Sequence, residues 1–449
     1  RDNFFENKLQ IGVTFRPNDQ VSVFWQFRGP NYQRWGVQPE SVGGDIRNQV
    51  NVYTRALYGE VIFPFGTIRG GRIVEGLAGT AGGLASLGYT PGWGSEFLYM
   101  NPFDGGDPID GLTYTNKWDN GFGLAIYYVK PASYWGQNPE DYDWGDVGPG
   151  FFTGDTHQFK DNDYDAFGIE GSYEWDGGGA TLGVAYHRDI TNPYVEKNNA
   201  IYINPSISQS WGAFALHFEA MLGWGKTTIS REFTGLDPSV DNTFRSEGLG
   251  LYLDGVYNYG AGDVTLAAWY VDGTGLNDRK SHDLVGMNDF APFLVAYYDT
   301  TLGTGIYSNN LGWGCYDDVC TRNGGPYAPN NPSDQNMWAI AVLGNHQVTP
   351  EIRLNYGVGF FNLVEPNYRV LISPEGGAER WFTQSKDLGW EIDLGATFQI
   401  LDNLWFETQF GYMFNGKAFD VPEFTDGVYT GTAKAKDTFA WANVLAFEF

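Results

Sequence analysis

Hydrophobic and polar residues alternate along most of this chain with a period of two. From Asp437 onward, Phe439, Trp441, Leu445, Phe447 and Phe449 share one parity, broken only by Asn443. Thr438, Ala440, Ala442, Val444, Ala446 and Glu448 share the other. Successive side chains of a β-strand point to opposite faces, so this pattern predicts a strand with one oily face and one small or polar face. The same division recurs upstream. Leu388, Trp390, Ile392, Leu394, Ala396, Phe398 and Ile400 oppose Gly389, Glu391, Asp393, Gly395, Thr397 and Gln399. Leu404, Phe406, Phe410, Tyr412 and Phe414 oppose Trp405, Glu407, Gln409 and Met413. Ile352, Leu354, Tyr356, Val358 and Phe360 oppose Arg353 and Asn355, and Phe214, Leu216, Phe218, Leu222 and Trp224 oppose His217, Glu219 and Met221.

Read this way, the chain contains 17 strands, near 9–15, 21–27, 48–63, 67–74, 109–118, 121–130, 163–175, 179–190, 200–210, 212–229, 245–259, 263–274, 335–347, 350–363, 385–400, 403–416 and 437–449. Tight turns join alternate pairs, at Pro17 to Gln20, Pro64-Phe65-Gly66, Asp119-Asn120, Asp176-Gly177-Gly178, Trp211-Gly212, Gly260-Ala261-Gly262, Val348-Thr349-Pro350 and Leu401-Asp402-Asn403. Asp-Gly between alternating runs is a strong hairpin signal. The intervening connections are long, notably 29–47, 75–108, 131–161, 275–334 and 417–436. Strict alternation of short turns and long loops is the mark of an up-and-down transmembrane barrel, with the short turns on the periplasmic side. The expected fold is therefore all-β: one antiparallel barrel domain spanning 1–449, with 16–18 strands. Single-chain bacterial barrels have even strand numbers. Either a further strand precedes Arg1, giving 18, or one strand above is spurious, giving 16; Arg1–Asn7 reads as the tail of an extracellular loop and favours the former.

Composition fits this reading. No run of about 18 apolar residues is present, which excludes a helical membrane bundle. No charged start followed by an apolar segment opens the chain, so a signal peptide is expected to have been removed already. The 16 Trp, 28 Tyr and 32 Phe suit aromatic girdles at the two membrane interfaces. A net charge of −27 argues against nucleic acid as a partner. Acidic loops would keep the exposed ends soluble, or hold divalent cations that bridge to lipopolysaccharide phosphates. Cys315 and Cys320 form a close pair expected to be a disulfide in an oxidising compartment.

Charges on the lipid face cost a few kcal/mol, so ionisable residues belong on the inner face, and a polar inner face implies water. Glu170, Glu219, Asp254, Glu391, Asp393 and Glu407 have that parity, and rings of carboxylates favour cations. Asp161, Asp163 and Asp165 place oxygen ligands at alternate positions, a weak pattern for structural calcium that also describes a solvated acidic loop. No cofactor is implied otherwise. The strand from Tyr53 to Phe63 is mixed on both faces, with Glu60 on the parity of Ile62, and could pack on another protomer. No Gly-x-Ser-x-Gly, His-Glu-x-x-His or phosphate-binding loop motif is present, and no enzyme is expected. His217 beside Glu219 reads first as a polar wall position.

The final strand, alternating in large apolar residues and ending on Phe449, resembles the closing strand of Gram-negative outer-membrane barrels. Phe65-Gly66-Thr67-Ile68-Arg69-Gly70-Gly71-Arg72 resembles the general porins of those membranes, as does the loop with Gly94-Ser95-Glu96-Phe97 and Phe103-Asp104-Gly105-Gly106-Asp107, followed by a strand from Gly111 to Trp118. The detailed resemblance covers about 48–130; the length of the chain and its loop 275–334 are closer to 18-stranded relatives such as the alginate exporter and the substrate-selective porins. The resemblance implies a homotrimer in the bilayer whose loop 75–108 folds into the barrel and narrows it. It implies Arg72 as a wall arginine facing the acidic loop residues Glu96, Asp104 and Asp107. Arg55, Lys117 and Arg353 join the inner wall on parity, and Arg69 would do so if a bulge at Gly70-Gly71 turned it beside Arg72. The function implied is passive diffusion of small hydrophilic solutes and ions with a weak cation preference; a substrate-selective or polysaccharide-export channel, or a barrel sheathing a partner protein, are the alternatives.

Overall fold

The structure is a computed structural model. It describes residues 5–35, 53–73, 109–130, 164–189, 195–229, 242–274, 280–282, 293, 295, 319–321, 336–366, 368–371, 380–383, 385–425 and 428–447. Strands β1 (Phe5–Asn18), β2 (Val21–Trp35), β3 (Tyr53–Phe63), β4 (Gly66–Ile73), β5 (Ile109–Lys117) and β6 (Phe122–Lys130) open the chain. They are followed by β7 (Tyr164–Trp175), β8 (Gly178–Asp189), β9 (Val195–Trp211), β10 (Phe214–Ile229), β11 (Thr243–Asn258) and β12 (Gly262–Val271). Next come β13 (Val319–Thr321), β14 (Met337–Thr349), β15 (Ile352–Leu363), β16 (Tyr368–Leu371), β17 (Arg380–Thr383), β18 (Asp387–Leu401) and β19 (Leu404–Asn415). The chain closes with β20 (Val421–Thr425), β21 (Val428–Ala433) and β22 (Thr438–Phe447).

Seventeen of these strands form one sheet. Each pairs antiparallel with the next sheet strand in sequence, from β1–β2 through β19–β22. β13, β16 and β17 make a small sheet of their own, and β20 and β21 a hairpin, both within long connections. All 17 strands read from the sequence exist, which removes the 16-strand alternative that one of them was spurious. Because every ladder is antiparallel and the count is odd, β1 and β22 run in the same direction, and no ladder joins them among the described residues. Several boundaries differ from the sequence expectation. β1 begins at Phe5, so Phe5–Asn7 is strand rather than loop tail; β2 runs through Pro30 to Trp35; and β9 starts at Val195.

Local chemistry sets the short turns. Trp175 pairs with Gly178, which leaves Asp176-Gly177 as the link, and Gly177 takes φ +78°, a conformation open to glycine at little steric cost. Gly212, between Trp211 and Phe214, takes φ +60°.

The sheet separates chemistry by face. Trp390, Ile392 and Leu394 are exposed on one side of β18, while Glu391 and Asp393 are buried on the other. Phe439, Trp441, Leu445 and Phe447 of β22 are exposed, as are Leu182, Val184 and Tyr186 of β8 and Val13 and Phe15 of β1. So many large apolar side chains exposed on a single face form a continuous band, the surface a bilayer covers. Among the described residues no helix is long and apolar enough to cross a membrane. With strands meandering through tight turns at one end, an apolar outer face and an enclosed polar inner face, this is the construction of an outer-membrane β-barrel.

Leu394 is 60% exposed at the middle of β18. Leu394→Arg is expected to lower folding stability in bilayers by about 2–4 kcal/mol. Denaturant titration of barrels folded into vesicles reads this; an unchanged midpoint would place Leu394 away from lipid.

Candidate functional site

The inner face divides into three sectors. The first, on β8 to β11, is polar and closed from water. Asn204 Nδ2 donates to Glu219 Oε1 at 3.1 Å and to the Ala220 carbonyl at 2.6 Å. His217 lies between two carboxylates, with Nδ1 3.5 Å from Asp254 Oδ2 and Nε2 3.9 Å from Glu219 Oε2. His217 and Asp254 face each other across β10 and β11, which is why one parity brings them together. Thr181 Oγ1 and Ser206 Oγ share a hydrogen bond of 2.7 Å. Asn204, His217, Glu219 and Asp254 are all fully buried. A net hydrogen bond contributes roughly 0.5–1.5 kcal/mol and a buried polar group left without one costs roughly 1–3 kcal/mol, so these contacts couple β8 to β11.

The second sector, on β12, β14, β15 and β18, is mostly apolar. Its inward positions include Ala267, Ala339, Ala341, Leu343, Gly357, Gly359 and Phe361. Phe293 and Val295, from the long connection between β12 and β14, are both buried against it. At its border Glu391 Oε1 accepts the Val295 N–H at 2.5 Å, Gln409 Nε2 donates to Glu407 Oε1 at 2.8 Å, and Asp393 is 3% exposed.

The third sector, on β2 to β5 and β22, is partly open. Arg69 bonds Glu60 at 2.7 Å and lies over the Tyr58 ring, 5.0 Å from its centroid. Ser22 Oγ donates to Glu60 Oε1 at 3.5 Å. The inward residues of β22, Thr438, Ala440, Ala442, Val444 and Ala446, are small and half-buried.

Several sequence expectations find their place here. Glu170, Glu219, Asp254, Glu391, Asp393 and Glu407 all lie on the buried inner face. The β3–β4 and β4–β5 ladders run through Thr67–Arg72 without a register shift, so the expected bulge at Gly70-Gly71 does not occur. Arg69 therefore shares the inner face with Glu60 and Thr113, whereas Arg72 falls opposite Leu57, on the outer parity. Glu60 lies on the inner face, and Leu57 and Phe63 are exposed on the outer face of β3. Lys117 stands at the short-turn end of β5, exposed and paired with Glu174 at 2.5 Å. Arg353 lies near the short-turn end of β15, level with Gln347 and Thr397. Arg55 is the extra residue where the β2–β3 ladder slips. Asp165 accepts from Tyr128 Oη at 2.8 Å, with Arg188 Nη1 4.0 Å from its other oxygen. Asp161, Asp163, Glu96, Asp104, Asp107, Cys315 and the loop 75–108 lie outside the described residues, and of Cys320 only its place in β13 is described. Among the described residues no group of three His, Cys, Asp or Glu could hold a metal.

The sequence reading missed Asn204, Phe293 and Val295. Asn204 lies in a strand whose parity is blurred by Pro205. Phe293 and Val295 had a signal: Phe290-Ala291-Pro292-Phe293-Leu294-Val295-Ala296-Tyr297-Tyr298 is an apolar run inside a polar connection.

No protein-family model matches the chain, and no curated protein matches it. Solved structures similar to it include OccK5 (OpdH) of Pseudomonas aeruginosa, at 11% identity over 100% of this chain and 96% of that one, with a TM-score of 0.44. OmpT, an outer membrane protein of Vibrio cholerae, is similar at 9% identity over 99% and 89% of the two chains, with a TM-score of 0.37. The outer membrane channel DcaP of Acinetobacter baumannii is similar at 10% identity over 98% and 84%, with a TM-score of 0.36.

Proposed function

We propose that this protein is an outer-membrane porin that passes small hydrophilic solutes and ions by passive diffusion with a weak cation preference. The observation that carries the reading is the division of the sheet: lipid-compatible side chains outside, and carboxylates inside on β7, β10, β11, β18 and β19. Among the described residues of that face, buried acidic groups outnumber basic ones, and rings of carboxylates favour cations. On the same face Arg69 is paired with Glu60. Cations thus meet an attractive field and anions a repulsive one. The route open to water runs along β22 and β2 to β4, where inward side chains are half-exposed.

A second reading, a substrate-selective channel, is favoured by one observation: Phe293 and Val295 occupy the inner face and reduce the room for solute.

In planar bilayers under a salt gradient, the protein is expected to give discrete conductance steps with a reversal potential on the cation side. Steps grouped in threes would accompany a homotrimer. Silence, or anion preference, would contradict the porin reading.

Arg69→Ala frees the Glu60 carboxylate on the water-accessible wall. It is expected to shift the reversal potential further toward cations, and Glu60→Gln to shift it the other way. Equal potentials in both variants would show that this ion pair is not on the conducting path.

A further inference from the structure

The apolar inner sector has a specific occupant. Gly357 and Gly359 follow one another on the inward parity of β15, beside Leu343 and Ala341 of β14. Phe293 lies on this floor and is 0% exposed. A Cβ added at Gly359 would come 2.7 Å from the Phe293 ring, and one at Gly357 3.2 Å from it. The Phe293 ring meets Phe361 edge-on, with centroids 5.1 Å apart and planes at 86°. Glycine inside a strand weakens it, and its usual reason is the close approach of another group. Here the Phe293 ring is one such group at both glycines, together with the Phe361 ring 2.6 Å from a Cβ at Gly359 and Leu343 3.1 Å from one at Gly357. Two residues on, the backbone N–H of Val295 donates to Glu391 Oε1 at 2.5 Å, far in sequence and on the neighbouring strand β18. An apolar ring and a charge-assisted hydrogen bond together hold one point of the β12–β14 connection against the inner wall.

We propose that Phe293 is the anchor of a constriction on the β14–β15–β18 wall, with Glu391 as its positioning residue. The inference rests on the porin reading and adds which wall is narrowed and by which residues. The anchored backbone takes space from this side of the lumen and leaves the conducting path to the wall that carries Glu60 and Arg69. Solute size is then set by the distance between that wall and the anchored backbone, and slim hydrophilic solutes pass in preference to branched ones. The sequence reading gave the narrowing role to 75–108; this anchor belongs to a different connection, 275–334.

Two variants test the anchor. Phe293→Ala removes the ring, and Gly359→Leu keeps the ring but fills its seat. Each is expected to raise single-channel conductance roughly twofold, as a wider path would, and to admit larger sugars in vesicle-swelling assays. Opening of a silent wild-type channel by either variant would also support the anchor; where the wild type conducts, conductance unchanged in both folded variants would overturn it. Phe293→Ala stands alone should the bulkier Gly359→Leu fail to fold. A second readout is independent of conduction. In a background with Cys315→Ser and Cys320→Ser, Val295→Cys, which keeps the Phe293 ring and the backbone N–H bonded to Glu391, is expected to react slowly with a water-soluble maleimide, and faster once Gly359→Leu is added. Rapid labelling without Gly359→Leu would overturn the anchor. Slow labelling in a protein that never conducts would keep the anchor and remove the porin reading instead.

Discussion

Within hydrocarbon, every backbone N–H and C=O must find its partner in the protein, because no water is there to supply one. This constraint shapes the chain more than any other. It is met by one continuous set of antiparallel ladders, in which each strand of the large sheet is bonded to its neighbours in sequence. Once the backbone is satisfied that way, side-chain period two follows, and with it two faces of opposite chemistry. The outer face carries rings and aliphatic chains such as Trp390, Leu394, Trp441 and Leu445. The inner face is then the only place where carboxylates can be held. The same constraint bears hardest on β1 and β22, the two ends of the ladder series, which run in the same direction.

The inner face is not uniform. On β8 to β11 a buried polar cluster of Asn204, His217, Glu219 and Asp254 spans adjacent strands, with Asn204 bonded to Glu219 and His217 set between the two carboxyls. On β12 to β15 small residues make a floor on which Phe293 rests. On β2 to β5 and β22 the wall is more open, and its charges are paired as Glu60 with Arg69. Under the proposed function, rigidity, narrowing and passage fall to different parts of one wall.

Much of this was legible in the sequence because period-two alternation is a local signal. The strands of the sheet and the faces of Glu391, Asp393, Glu219 and Glu407 could be read residue by residue. Strand ends were less legible. β2 continues through Pro30 and β9 starts at Val195, in stretches where polar residues fall on both parities. The face of Arg72 depended on whether the ladder slips at Gly70-Gly71, and unbroken pairing on both sides decides that. The seat of Phe293 depended on a glycine pair on β15 and a carboxylate on β18, distant in sequence and adjacent only once the sheet forms. Gly357 and Gly359 on one inward parity were the available hint.

The central claim is that one face of this sheet meets lipid and the other meets water. Its most direct test is a nitroxide scan of β22, Thr438–Phe447, in reconstituted vesicles. Collision with oxygen, which partitions into lipid, is predicted to peak at Phe439, Trp441, Leu445 and Phe447. Collision with a water-soluble nickel chelate is predicted to peak at Ala440, Ala442, Val444 and Ala446. Two accessibilities that rise and fall in opposite phase with period two are the predicted result. Accessibilities that follow each other along the strand, or show no period, would contradict the account.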